Sequence, residues 1–289
     1  DVVPLDYNNR IFVWHGINRI RKGLARPGIC ALADISKIDL ANITSTDFGF
    51  ALGPRINSAG RLEDMTIGIN CLLAETYEEA MKYAQELEDL NIRRKELTSE
   101  ISHDAYKQLD LPEDMSEHGL CVFGEDFNEG VIGIVASRLK ENYHRPVIVF
   151  TRAEDGSYKG SGRSVDGVHL RDVLIDVDRR TEGRILMKFG GHAMAAGMSL
   201  RSELFDEFKK VFDQEVKKHL PSIEPAIDTD GILESEYLNL ETAYLIENSG
   251  PWGQYFQKPL FRGDFVITER RVVGGRHLKM KVRPVSGGF

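Results

Sequence analysis

A helical pattern about thirty residues long constrains this chain more than any other feature. Thr76 and Glu79 have the spacing of a capping box, in which a hydroxyl and a carboxylate bind the first free amides of a helix. Pro112 ends the pattern, because proline cannot continue a helix. The apolar residues between them recur along one stripe: Ala80, Tyr83, Leu87, Leu90, Leu97, Ile101 and Ala105. A helix of about thirty residues spans roughly 45 Å, so we predict that it connects two separate parts of the chain.

Composition limits the classes of protein to which the chain can belong. Its 289 residues, 42% of them apolar, can build one large domain or two to three small ones. A net charge of -8 excludes a protein that coats nucleic acid through overall charge, so a polyanion site must be a local patch. The three cysteines, Cys30, Cys71 and Cys121, are far apart, which favours buried thiols in the cytoplasm over disulfides or a zinc site. No apolar run reaches membrane length and no signal peptide is recognisable, so we expect neither a membrane partner nor export.

Segments with strand and helix character alternate beyond Pro112, which is typical of an α/β sheet with helices packed on it. We predict strands at Leu120–Phe123 and Pro146–Phe150, and helices at Val131–Tyr143, Leu170–Val177 and Leu204–His219. Gly133 presents no side chain, so we expect its helix to lie close to the sheet.

The amino-terminal segment is predicted to be helical. Between Asp6 and Gly23 the apolar residues recur at roughly helical spacing, which predicts a helix with one buried face: Ile11, Val13, Trp14, Ile17 and Ile20. A further helix is predicted to start at Ser45 or Thr46, and we expect Pro54 to interrupt it.

Two glycine-rich segments are predicted to be ligand-binding loops. In the first, Gly190 and Gly191 precede His192 and would let the backbone pass close to a ligand, although a tight turn before a buried strand, with an incidental histidine, fits equally well. In the second, the Ser161 hydroxyl, the Arg163 guanidinium and glycine-spaced amides would form a cradle for an anion. A hairpin turn with an exposed arginine is the alternative there.

Arginines supply further candidate phosphate contacts. Arg55 and Arg61 flank small residues between Gly53 and Leu62, where both guanidiniums would face one cleft unless they are simply solvated. Arg94 falls on the apolar stripe of the long helix, and we favour pairing with an acidic neighbour over a position in a cleft.

The carboxy-terminal segment is the one markedly basic part of an acidic chain. Between Lys258 and Arg283 there are eight basic and two acidic residues. Strands predicted at Phe261–Thr268 and His277–Val282 are consistent with the start of an OB-type barrel. We predict a strand-binding groove with stacking rings, against the alternative of a solvated basic face. Its basic residues would be Arg270, Arg271, Arg276, Lys279 and Lys281, with Phe256, Phe261 and Phe265 as the rings.

Taken in order, these motifs closely resemble the RecJ-type single-strand exonucleases of the DHH/DHHA1 phosphoesterase superfamily. The motifs are Gly53–Leu62, Gly130–Arg138, Lys159–Ser164 and Lys188–Met198, and the resemblance runs from Asp1–Leu5 to His277–Lys279. It implies an α/β fold in four parts. These are the end of a DHH domain (1–75), a long connecting helix (76–111), a DHHA1 substrate-binding domain (112–222) and the start of an OB-fold domain (223–289), which we expect to be a partial barrel.

The resemblance also implies an activity, a metal requirement and partners. RecJ-like enzymes are metal-dependent 5′ to 3′ exonucleases that act on single-stranded DNA in repair and recombination, and a single-strand-binding protein is an implied partner. Two Mn²⁺ or Mg²⁺ ions would be held by aspartates and a DHH triplet, but no Asp-His-His occurs here and Asp1 alone matches a ligand. We therefore expect a fragment that is inactive by itself.

Individual residues acquire roles only through this resemblance. Arg55 and His192 would be catalytic, Ser161 and Arg163 would bind the 5′ phosphate, and the remaining substrate contacts would come from Arg61, Gly190 and Gly191. The family's aromatic-histidine pair before Gly130 is replaced by Phe127-Asn128, so no imidazole acts there.

Two other functions compete with this one. A relative that hydrolyses short oligonucleotides or cyclic dinucleotides would not need the long basic groove. A non-catalytic nucleic-acid-binding fragment would account for the absent metal ligands.

Overall fold

The computed structural model of the chain describes residues 3–109, 117–220, 227–275 and 277–285. Asp1 and Arg276, both predicted site residues, lie outside the described residues. The chain divides into two compact units, Asp1–Gly53 with Ala226–Phe289, and Pro54–Pro225. The α-helices are α1 (Tyr7–Arg21), α2 (Pro27–Ser36), α3 (Ser45–Asp47), α4 (Gly53–Leu62), α5 (Thr66–Leu73), α6 (Tyr77–Gln108), α7 (Glu129–Tyr143), α8 (Leu170–Arg180), α9 (Phe205–His219) and α10 (Leu240–Asn248). The strands are β1 (Leu120–Gly124), β2 (Val147–Arg152), β3 (Tyr158–Arg163), β4 (Leu186–Gly191), β5 (Ala195–Leu200), β6 (Phe265–Val273) and β7 (His277–Pro284).

The long helix is confirmed as α6. The Thr76 hydroxyl accepts a hydrogen bond from the backbone N–H of Glu79 at 3.2 Å, so the predicted cap is present. The Glu79 carboxylate accepts from the Glu75 amide at 3.4 Å rather than from the Thr76 amide. Leu87, Ile101 and the other buried members of the stripe face the interior of the unit, which explains why so polar a helix is stable.

The larger unit is built on a five-stranded sheet in the order β1-β2-β3-β5-β4. β1 and β2 are parallel, whereas β2–β3, β3–β5 and β4–β5 are antiparallel. Helices cover both faces of this sheet. One core packs Ile148 and Phe150 against α8 and α9, and the other packs Val147 and Val149 against α6 and α7. The predicted α/β fold is therefore confirmed.

The glycine-rich segments are strands, so their prediction as loops was wrong. Ser161 and Arg163 lie in β3, and Gly190 and Gly191 end β4. Glycine and serine are typical of loops, and here packing overrides that tendency. A Cβ at Gly160 would lie 2.4 Å from the Phe150 ring, so only glycine lets β3 approach the core at this position.

Two predictions for the first 62 residues were wrong. Of the predicted apolar stripe of α1 only Ile17 is buried, and Trp14 is 50% exposed. Pro54 does not interrupt the helix. A π-helix, Phe48–Leu52, runs directly into α4, and the Gly53 amide donates to the Phe48 carbonyl five residues back. Proline removes a helical donor and clashes with the preceding turn, and a wider π-turn accommodates both effects.

The smaller unit contains a two-stranded antiparallel hairpin, β6–β7, which is not closed into a barrel. Its first strand begins four residues later than predicted, at Phe265 instead of Phe261, and extends to Val273. Within the described part of the chain, no helix combines the length and apolar character needed to cross a membrane.

Candidate nucleic-acid interface

Strand β3 aims Ser161 and Arg163 at α7, on the face opposite the core of α8 and α9. The Arg163 guanidinium donates to the Ser161 hydroxyl at 3.1 Å and to the Gly162 carbonyl at 2.8 Å. A Cβ at Gly133 would lie 2.9 Å from both Arg163 Nη2 and Ser161 Oγ. The helix α7 therefore lies close to the sheet, as predicted, and the absence of a side chain at Gly133 leaves room for the side chains of Ser161 and Arg163.

The amino terminus of α7 is fixed against the end of α4. A Cβ at Gly130 would lie 2.0 Å from the Arg61 carbonyl oxygen, so only glycine allows this contact. The Arg61 guanidinium donates to the Gly130 carbonyl at 3.0 Å, and its side chain is otherwise exposed. Asn128 caps α7 by accepting from the Gly130 amide at 2.9 Å. Asparagine at this position is thus explained by helix capping.

Four arginines of the larger unit form what we call the guanidinium cluster: Arg61, Arg94, Arg138 and Arg163. Burial lowers the pKa of Arg163, and the positive charge of Arg61 lowers it further. Burial also lowers the pKa of Arg94, with Arg61 and Arg138 adding to the effect. Among the described residues none of the four has a carboxylate within 4.0 Å. The four lie on elements that contact one another, and uncompensated guanidiniums on neighbouring elements attract an anion, because they repel one another until one is bound.

Arg94 does not pair with an acidic neighbour as predicted. Its Nη2 donates to the amide oxygen of Asn91 at 2.9 Å, and its buried Nε has no hydrogen-bond partner among the described residues. Asn91 in turn donates to Glu88 at 3.4 Å. The charge of Arg94 is therefore oriented by a neutral amide and left uncompensated.

A row of small residues crosses the sheet beside Ser161. Ser161 is directly opposite Gly197 in β5, and Gly197 is directly opposite Gly190 in β4. Cross-strand partners share a face, so we call Ser161, Gly197 and Gly190 the glycine row. Nothing lies within 4 Å of a Cβ built at either glycine, and both are exposed. A ligand can therefore approach the sheet backbone itself.

Gly191 and His192 lie where β4 turns into β5. Gly191 has a φ of +150°, and a Cβ there would lie 2.4 Å from the Ala195 carbonyl oxygen. The His192 amide donates to that carbonyl at 2.8 Å, and Ala195 is the partner of Arg163 in β3. The exposed imidazole of His192 thus belongs to the same end of the sheet as Arg163.

Arg55 and Arg61 contact different partners. Arg55 Nε lies 2.6 Å from the Glu88 carboxylate, and the Arg55 side chain is only 12% exposed. Arg61 reaches α7 instead. Arg55 is thus already compensated by a carboxylate, unlike the four arginines of the cluster.

The β6–β7 hairpin separates the predicted groove residues. Arg271 is opposite Lys279 and Glu269 is opposite Lys281, so these four share one face. Arg270 is opposite Met280 on the other face. Glu269 also pairs with Lys281 at 2.9 Å, which leaves Arg271 and Lys279 as the stronger candidates on this face.

The rings predicted to stack with bases are partly engaged already. Phe256 stacks on Trp252 with ring centroids 5.1 Å apart, and the Arg10 guanidinium lies 3.5 Å from its centroid. Phe261 is half-buried and Phe265 is 43% exposed. Phe256 therefore contributes to packing, and Phe265 is the better candidate for stacking.

Within the described residues, no three His, Cys, Asp or Glu side chains are grouped to hold a metal ion. The guanidinium cluster and the glycine row instead offer guanidinium groups, a hydroxyl and exposed backbone, which suit binding and orientation of a phosphate. Sequence reasoning identified Arg61, Ser161 and Arg163 but assigned no role to Arg138 or Gly197. Arg138 lies in the motif Gly130–Arg138, and Gly197 lies in the motif Lys188–Met198, so position within a motif was the available signal.

The fold and the site define an α/β domain with an exposed row of small residues and arginines that lack acidic partners among the described residues, followed by an OB-type segment. The DHHA1 domain model matches residues 117–218, and the RecJ OB domain model matches residues 229–287. The chain belongs to the RecJ family, as its motifs predicted. The single-stranded-DNA-specific exonuclease RecJ of Escherichia coli (strain K12) is 46% identical over 293 residues, which cover 100% of this chain and 51% of that protein.

Solved structures agree on the fold. The crystal structures of RecJ from Thermus thermophilus in complex with Mg²⁺ and with Mn²⁺ both superpose with a TM-score of 0.78 and 24% identity. Each covers 99% of this chain, which covers 50% and 47% of those chains. The chain thus spans about half the length of the relatives it matches.

Proposed function

We propose that this chain is the strand-binding part of a metal-dependent exonuclease that hydrolyses single-stranded DNA from 5′ to 3′ in repair and recombination. The guanidinium cluster beside the glycine row is the observation that carries this proposal, because it offers uncompensated positive charge next to open backbone. Identity of 46% to an enzyme named single-stranded-DNA-specific exonuclease supports the choice of substrate.

Arg163 and Ser161 are proposed to bind the 5′ phosphate of the strand. Arg163 already donates to Ser161, so the pair is oriented before the ligand arrives. Arg61 contributes its charge from the end of α4. The glycine row would then let the strand lie against the sheet.

His192 and the amides of Gly190 and Gly191 are proposed to bind a phosphate near the reacting one, where an imidazolium would stabilise developing negative charge. Arg55 is proposed to act beside it, provided that a phosphate replaces or shares its contact with Glu88. Arg270, Arg271, Arg276, Lys279 and Lys281 would contact the strand farther along, with Arg276 outside the described residues.

The metal requirement is proposed from the relatives, whose structures are complexes with Mg²⁺ and Mn²⁺. Asp1 remains a predicted ligand outside the described residues. We propose that Asp1 and ligands in the rest of the longer protein would hold the two ions of such an enzyme, which would supply the activated water for hydrolysis. The four-part domain division likewise remains a prediction.

We further propose a cytoplasmic location and delivery of the substrate by a single-strand-binding protein. The three free cysteines support a reducing compartment, since an oxidising one would favour disulfides.

The test measures degradation of single strands labelled at the 3′ end and carrying a 5′ phosphate, with Mn²⁺ added. Stepwise shortening of the labelled strand by the longer protein, but not by this chain, is the expected result. Activity on dinucleotides and none on long strands would instead indicate the second candidate function. Strand binding by the chain with no activity in the longer protein would indicate a non-catalytic binding protein.

A further inference from the structure

We propose that Arg94 and Arg138 form a second phosphate-binding position, which takes an internal phosphodiester of the strand whose end is bound by Ser161 and Arg163. This inference rests on the proposed function and adds residues to its site. Arg94 projects from α6 and Arg138 from α7, two helices that pack together in the same unit.

The two arginines belong to one surface of the larger unit. Arg138 Nη1 lies 3.5 Å from the Ser102 hydroxyl, two turns along α6 from Arg94. The Arg61 guanidinium contacts the Gly130 carbonyl at the start of α7 at 3.0 Å, one turn of that helix from Gly133, which lies beside Arg163. The positive charge of Arg61 lowers the pKa of both Arg94 and Arg163, so Arg61 links the second position to the first. A strand that follows the four guanidiniums would meet one positive charge after another.

Arg94 differs from Arg55 in having no acidic partner among the described residues. The same helix α6 carries Glu88, which compensates Arg55 at 2.6 Å. Between Glu88 and Arg94 the buried polar residue is Asn91, whose amide oxygen orients Arg94 at 2.9 Å without neutralising it. An arginine held in place and left charged, with its Nε buried and unbonded among the described residues, fits a ligand that supplies anionic oxygens.

The fork of donors on arginine matches the oxygens of a phosphodiester, so the ligand class follows from the chemistry of the group. The other available occupant is a carboxylate of the longer protein. A carboxylate there would make Arg94 important for stability, whereas a phosphodiester makes it important for DNA binding.

The experiment compares Arg94→Gln and Arg138→Gln with Arg93→Gln. Arg93 is the neighbouring exposed arginine of α6, so its replacement removes the same charge from the same helix. Binding of a 5′-phosphorylated strand of about ten nucleotides is measured by fluorescence anisotropy at several salt concentrations. We expect Arg94→Gln and Arg138→Gln to weaken binding about tenfold and each to reduce the slope of log K against log salt by about 0.7. Arg93→Gln should change neither.

Arg94→Lys keeps the charge and removes the fork. It should restore the salt slope while recovering only part of the affinity. Thermal unfolding of each variant, in this chain and in the longer protein, checks that the fold persists.

Arg163→Gln distinguishes failure of this inference from failure of the proposed function. Weaker binding by Arg163→Gln, together with wild-type binding by Arg94→Gln and Arg138→Gln, would overturn the second position alone. Lower stability of the longer protein bearing Arg94→Gln, without any loss of DNA binding, would assign its partner as a carboxylate. Wild-type binding by all of these variants would overturn both proposals.

Discussion

A methyl group at position 133 is expected to push Arg163 away from Ser161 while the fold persists. The atoms nearest to a Cβ at Gly133 are Arg163 Nη2 and Ser161 Oγ, both at 2.9 Å, and both end movable side chains. Alanine in a helix interior is about 1 kcal/mol more favourable than glycine. Loss of the hydrogen bond between Arg163 and Ser161 costs about 1 kcal/mol. These effects offset one another, so the melting temperature of Gly133→Ala should stay within about 3 °C of the parent value.

Gly133→Ala should weaken binding of a 5′-phosphorylated strand much more than it changes the stability of the fold. A hydrogen bond to a charged group contributes about 1.5–3 kcal/mol, and a displaced guanidinium loses much of it. Gly133→Ala should therefore weaken binding about 10- to 100-fold. The assay is fluorescence anisotropy with strands labelled at the 3′ end, with and without a 5′ phosphate. The loss should be larger for the phosphorylated strand.

Gly130→Ala on the same helix is the matched control. Its Cβ would lie 2.0 Å from the Arg61 carbonyl oxygen, and backbone on both sides leaves no side chain to move aside. We expect a loss of stability of more than about 2 kcal/mol, read as a lower melting temperature. Wild-type binding of both strands by a stable Gly133→Ala variant would refute the anchor role of Arg163.

Substitutions at adjacent glycines should separate ligand contact from backbone geometry. Gly190→Ala should fold normally, since nothing lies within 4 Å of its Cβ, yet bind strands more weakly, whereas Gly191→Ala should melt at a lower temperature because of its φ of +150°. Wild-type binding by Gly190→Ala would exclude a ligand on the glycine row. A second prediction concerns Glu215, which is 2% exposed. Burial raises the pKa of its carboxyl, but hydrogen bonds from Lys218 and Arg180 outweigh that effect and hold the pKa below its ordinary value. A lowered pKa stabilises the fold above about pH 4.3, and this contribution is lost as the pH falls through the folded-state pKa. Glu215→Gln should therefore lower stability by about 1–3 kcal/mol at neutral pH and reduce its acid dependence, as urea unfolding at several pH values would show. An unchanged acid dependence would contradict this assignment.

Local sequence patterns predicted four helices of the larger unit well, namely α6, α7, α8 and α9. Thr76 marks the start of α6, and the segment around Gly133 was correctly placed close to the sheet. Periodicity reports which face of a helix is apolar, and it does not report whether another element covers that face. Trp14 illustrates the difference, because it lies on an apolar stripe and is 50% exposed.

The strands β3 and β4 escaped prediction for a different reason, whereas β5 matches the buried strand that was one of the two alternatives for the segment after Gly191. The glycines of β3 are needed because large side chains occupy the space where a Cβ would be, as Phe150 does at Gly160 and Leu170 does at Gly162. That requirement arises from packing between distant segments. The guanidinium cluster is non-local too, since its four arginines lie on α4, α6, α7 and β3 and come together only after these elements have packed. A single motif was enough to predict Arg163 as a site residue. The arginines around it can be identified only from the folded unit.

The acidic composition and the basic site together limit how this chain can bind a polyanion. At physiological salt the screening length is about 8 Å, so the net charge of -8 has little effect on a strand that already contacts the cluster. Each phosphate contact adds about 0.7 to the salt slope for single strands, so four arginines predict a slope of about 3. Replacing both Arg271 and Lys279 with glutamine should leave that slope in place for short strands, because the cluster lies in the other unit. A slope that falls to near zero in this variant would place the main binding site on the β6–β7 hairpin instead.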